Sequence, residues 1–150
     1  MNANAKIDIG KIAALRKLRA KVNELSIVMK ELGEPMLYDL TLLPKIHKAY
    51  ESVFIRRGCA EEAKAVRNRK KFLLIALYLY SPEALAGGRM RVGLRKKVSE
   101  LFGLSTSTPI SDNCSGLIVQ YRAYADFRRD VDIIFREVLN TIGDELLICD

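Results

Sequence analysis

Between Arg56 and Lys97 the sequence sets twelve Lys and Arg against Glu61, Glu62 and Glu83 alone, and a little further on it places four hydroxyls in a row, Ser105, Thr106, Ser107 and Thr108. Clustered cations attract phosphate whatever its base sequence. Hydroxyls at the entrance of a helix, beside free backbone N–H groups, add hydrogen bonds to phosphate oxygens. The chemistry on offer is therefore polyanion binding. Arg89, Arg91, Arg95 and Lys96 lie between the Gly87-Gly88 pair and those hydroxyls. Arg67, Arg69, Lys70 and Lys71 form a second basic run upstream.

Other chemistries find few residues. The single histidine, His47, has no Cys, Asp or Glu at metal-ligand spacing and is read as structural or exposed. Cys59, Cys114 and Cys149 are far apart, form no CxxC, and suggest reduced thiols; Cys114 falls on an apolar helical face. Asp126 and Asp130 are one helical turn apart with Arg128 and Arg129 between them, which reads as a solvated face. No phosphate-cradling Gly loop, HExxH or Ser/His/Asp set is present, so neither enzymatic activity nor a cofactor is expected.

The charge is uneven along the chain: residues 1–50 carry nine basic against five acidic side chains, 51–100 twelve against five, and 101–150 four against eight. Hydrophobic residues at 49% and charged ones at 29% fit a folded protein. The run FLLIALYLY, Phe72 to Tyr80, is far short of the roughly 20 residues that cross a bilayer. The start of the chain has no long apolar core before a small-residue cleavage site, so a soluble, cytoplasmic protein is expected.

The positioning elements read as helices throughout, because apolar residues recur at three and four and no hairpin turn is found. The expected fold is all-α, a helical bundle with a long N-terminal heptad-patterned helix. That helix runs from about Lys11 to Leu32, with Leu15, Leu18, Val22, Leu25, Met29 and Leu32 along one seam, suited to homodimerisation or to lying on the rest of the protein. A second helix is expected from Pro44 to Arg57, with Ile46, Tyr50, Val53 and Phe54 inward and Gly58 as its stop. A third spans Glu61 to Tyr80, anchored early by Ala63 and Val66. Ser81-Pro82 opens a short turn ended by Gly87-Gly88. Further helices follow at about Arg89–Phe102, at Thr108–Tyr124 (Ile110, Cys114, Leu117, Tyr121 and Tyr124 inward), and at the end (Phe127, Val131, Ile134, Val138 and Ile142 inward). Two regions are expected: 1–58, and a helical domain 59–150 with its corner at about 89–122.

That corner carries a resemblance. VSELFGLSTSTPIS, Val98 to Ser111, resembles the helix-turn-helix of bacterial DNA-binding proteins, where a Gly ends the first helix and an apolar-Ser pair leads into the recognition helix. With LYLYSPEAL and GGRMR before it, the stretch 72–122 is similar to the C-terminal DNA-binding domain of the replication initiator DnaA and to Trp-repressor-like folds, about a third of the chain. The resemblance implies a buried helix ahead of the turn and a basic loop that touches phosphate. Ser99 stands where the family usually has Ala, and the recognition helix offers only Asn113 and Gln120 to base edges. The expected ligand is thus duplex DNA, held through Arg67, Arg69, Lys70, Arg89, Arg91, Arg95, Lys96, Ser105, Thr106, Ser107, Thr108, Ser111 and Asn113 with modest sequence preference. Regulation of transcription or replication would follow. The competing expectation is a helical adaptor that assembles through the N-terminal seam. RNA is a third, permitted by Lys64–Lys71.

Overall fold

A computed structural model describes residues 5–106, 109–110, 114 and 116–148. Among them there is no strand, and seven α-helices and two 3-10 turns carry the fold, so the all-α class is as expected. The chain divides into two compact units, Met1–Glu34 and Pro35–Asp150. The division falls earlier than the boundary expected at residue 58, because residues 43–56 pack into the second unit's core.

The first unit is one helix, α1 (Ile9–Leu32). The Asp8 carboxylate caps it by accepting from the Lys11 backbone N–H at 3.0 Å. The Gly33 N–H donates back to the Met29 carbonyl at 2.9 Å. None of its residues is buried.

The second unit is built around α3 (Val66–Tyr80). Every residue from Phe72 to Leu77 is buried, as are Leu79 and Tyr80, which is what an all-round apolar segment requires. α2 (Leu43–Arg56) begins with Pro44 in its first turn, where no N–H is missed, and buries Ile46, Tyr50, Val53 and Phe54 as expected. Gly58, at φ 74°, ends it. The last helix, α7 (Ala125–Ile148), packs along both α2 and α3 and buries Phe127, Val131, Ile134, Val138 and Ile142.

Three helices are shorter than their periodicity suggests. The polar stretch 61–65 does not join α3: it forms a 3-10 turn, Ala60–Lys64, and Ala65 is extended at ψ 140°. The tight turn wins because core groups take its carbonyls. The Tyr50 hydroxyl donates to Ala63 O at 2.6 Å, and the Asn68 amide to Glu62 O at 2.8 Å. Val66, expected inward, is 62% exposed as a result.

The second departure follows α4 (Pro82–Leu85). Residues 89–93 are not helical, because Gly93 takes a left-handed φ of 89° and the Arg91 N–H donates to Ser81 Oγ at 3.0 Å. α5 therefore runs only from Leu94 to Leu101. The third departure is at Gly116, a poor helix former that stands at a turn. Pro109, Ile110 and Cys114 are helical before it, and α6 (Leu117–Ala123) starts after it. Tyr124 is consequently 60% exposed rather than inward.

Asp130 is also not part of a solvated face. Its Oδ2 lies 2.7 Å from the ammonium of Lys71, whose side chain is 2% exposed, and its Oδ1 lies 3.1 Å from Arg57. The Lys71 ammonium also donates to Asn68 Oδ1 at 2.9 Å. Asp126, by contrast, stays exposed.

Candidate nucleic-acid interface

α5 ends as its sequence suggests. Gly103 adopts φ 68°, and the Leu104 N–H reaches back to Ser99 O at 2.9 Å. This is the six-to-one bond of a Schellman cap, and it turns the chain sharply. Leu94, Val98 and Ser99 face the core. Ser99 suits that close packing because its hydroxyl donates to its own helix at Arg95 O, 2.9 Å away. Arg95, Lys96 and Lys97 are exposed on the outer side of α5, and Ser105 and Thr106 are exposed just past the corner.

The expected basic residues fall into distinct groups. Arg89, in the loop after the glycine pair, is exposed, and with Arg95 it lines a cleft of about 390 Å³ completed by Ala84, Gly88, Met90 and Cys114. The loop turns tightly there. A Cβ on Gly88 would stand 3.0 Å from Glu83 O, and Gly87 holds φ 93°. Cys114 belongs to the segment beyond the corner, so the cleft joins the basic loop, α5 and that segment. Its thiol donates to Ile110 O at 3.1 Å. Burial pushes the thiol pKa up, against the opposing pull of the Arg95 charge, so Cys114 is a packed thiol rather than a nucleophile.

A second groove, of about 250 Å³, lies between α3 and the same segment, lined among others by Arg69, Lys70, Phe102, Pro109 and Ile110. The segment that starts at Pro109 thus borders a basic groove through Pro109 and Ile110 and a basic cleft through Cys114. Arg69 is not free in its groove. Its guanidinium sits 5.3 Å from the Phe102 ring centre and donates to Phe102 O at 3.4 Å, fastening α3 to the corner. Lys70 is half-buried.

Two expected contacts are placed otherwise. The Arg91 guanidinium lies 5.7 Å from the Tyr38 ring and 5.9 Å from the Tyr80 ring, with one terminal nitrogen buried and without a hydrogen-bond partner. The two rings hold its guanidinium in place as a packing element of the fold. Arg67 pairs with Asp126 at 3.2 Å across an exposed surface. Its charge is partly neutralised where it was expected to be free. Ser107, Thr108, Ser111 and Asn113 lie outside the described residues.

His47 packs edge-on against Phe72 at 5.1 Å between ring centres and reaches Glu51 Oε1 at 3.2 Å. Burial lowers its pKa, partly offset by Glu51, which keeps it a neutral structural ring. Among the described residues no three His, Cys, Asp or Glu gather where a metal could sit, and no helix is long and apolar enough to cross a membrane. Comparison with protein-family models, curated proteins and solved structures returns no match.

Proposed function

We propose that this protein binds duplex DNA through the corner after α5, with affinity dominated by phosphate contact and modest sequence preference, in a role regulating transcription or replication. The observation that supports it is the shared cleft. Arg89 and Arg95 line one depression with Cys114, and Lys96, Ser105 and Thr106 are exposed nearby in sequence. Cations and hydroxyls on the approach to one helix are the groups that position a duplex by its backbone. The corner's Schellman cap and the buried α3 ahead of it agree with the helix-turn-helix resemblance of Val98–Ser111.

The test is a gel-shift titration on random-sequence duplex. Arg89→Ala with Arg95→Ala should weaken binding at least tenfold, while Arg67→Ala, which removes a charge already paired with Asp126, should change it less than threefold, roughly the scale of one or two phosphate contacts. Equal effects of the two sets would move the interface away from the cleft. No binding by the unaltered protein at low salt would remove the reading altogether.

A further inference from the structure

A pocket of about 390 Å³ opens between α3, α4, α6 and α7, on side chains that the DNA reading does not use. Three aromatic residues line it, Tyr78 from α3, Tyr121 from α6 and Phe135 from α7. Tyr78 and Phe135 meet edge to face, 5.5 Å between ring centres and 87° apart, so the two rings wall one corner from two directions. Aliphatic side chains, Leu74, Leu85 and Ile118 among them, make most of the remainder. Among the described residues Asp132 is the single charged residue in the lining.

A carboxylate beside an apolar wall is costly without a partner. The Tyr121 hydroxyl supplies part of one, donating to Asp132 Oδ1 at 2.8 Å and tying α6 to α7. The arginines one turn away on either side serve backbone carbonyls instead. Arg128 donates to Tyr121 O at 3.3 Å and to Arg122 O at 3.2 Å, and Arg136 to Asp132 O at 3.3 Å. Among the described residues no ion pair reaches the Asp132 carboxylate, and its Oδ2 takes no hydrogen bond. A carboxylate and aromatic rings both attract positive charge, and rings do so even where alkyl groups surround it. A bare metal ion would find one carboxylate there and no further ligand set. What suits aromatic walls, aliphatic walls and one carboxylate together is a cation with an apolar body.

We propose that this pocket binds a small organic cation, an alkylated ammonium ion, with its charge toward Asp132 and the aromatic rings and its alkyl or aryl groups along the aliphatic wall. The pocket's volume is within the range of small-molecule sites, roughly 300–1,000 Å³. The inference stands apart from the DNA reading. Arg89 and Arg95 at the corner cleft repel such a ligand, so the two sites take opposite charges.

The experiment follows the methyl signals of Ile75 and Ile118, which line the pocket, by NMR of the full chain without DNA. Benzyltrimethylammonium should shift both signals saturably. Choline should bind about tenfold more tightly than 3,3-dimethylbutan-1-ol, its uncharged carbon isostere, a comparison that needs no altered protein. Asp132→Asn, which keeps an acceptor for the Tyr121 hydroxyl, and Phe135→Leu, which removes a ring face, should each weaken benzyltrimethylammonium binding about fivefold. No saturable shift at millimolar benzyltrimethylammonium, equal binding of choline and its isostere, or binding unchanged in either variant would each overturn the proposal.

Discussion

Lys71 Nζ stands 2.7 Å from Asp130 Oδ2, joining α3 to α7 across 59 residues of sequence in a setting where the lysine is almost wholly enclosed. The ammonium is satisfied by that carboxylate and by Asn68, while Asp130 holds a second partner in Arg57. The two ends of the pair are therefore unequal. Removing Asp130 leaves a buried cation with one neutral acceptor, whereas removing Lys71 leaves a carboxylate that still has Arg57 and some water. Asp130→Ala should cost about 3–5 kcal/mol. Lys71→Met should cost clearly less. Urea unfolding of both variants measures this, and an equal or reversed order would contradict the geometry.

Acid should weaken the fold in two stages. Burial disfavours the Asp130 carboxylate, but hydrogen bonds and charge from Lys71 and Arg57 outweigh it and hold its pKa below 3.8. Its contribution is complete above that value and is lost as pH falls through the lower folded pKa. His47 is a base with a lowered pKa. Below its usual 6.5 the unfolded chain takes up the proton more readily than the folded one, so stability declines as pH falls from 6.5. From neutral pH downward, unfolding free energy should therefore stay level to about 6.5 and then fall first with His47 and next with Asp130. His47→Gln should remove the first decline. If the decline from 6.5 persists in that variant, His47 is not its source.

At the corner, Gly103 is needed for its backbone and not for space, since a Cβ there would meet nothing within 4 Å. Gly103→Ala should cost roughly 1–2 kcal/mol, the strain of a left-handed residue. Gly103→Asn should recover part of it, because Asn tolerates that conformation. Thermal unfolding of both variants reads the difference. An alanine variant as stable as the parent would mean that the Schellman turn does not hold the corner.

Much of this architecture was legible locally. Periodicity placed α2, α3 and α7 and their inward faces, and Gly58 and Gly103 marked helix ends correctly, because these features are set by neighbours three and four residues away. The breaks at Ala65, Gly93 and Gly116 were not. At Ala65 the decisive partners, Tyr50 on Ala63 O and Asn68 on Glu62 O, stand six to thirteen residues off. The candidate site was legible as a charge pattern but not as an inventory. Arg69 and Arg91 look the same in sequence as Arg89 and Arg95. Only the folded positions of Phe102, Tyr38 and Tyr80 turn the first two into packing elements. The pairs Arg67 with Asp126 and Lys71 with Asp130 each span 59 residues, beyond the reach of any local pattern.

The most direct test of phosphate binding at the corner is the salt dependence of random-duplex affinity. Arg89, Arg95 and Lys96 engaging three phosphates predict a log–log slope of about −3 or steeper. Arg89→Ala with Arg95→Ala should reduce that slope by about 2. A slope near zero, or one left unchanged in the double variant, would contradict the account.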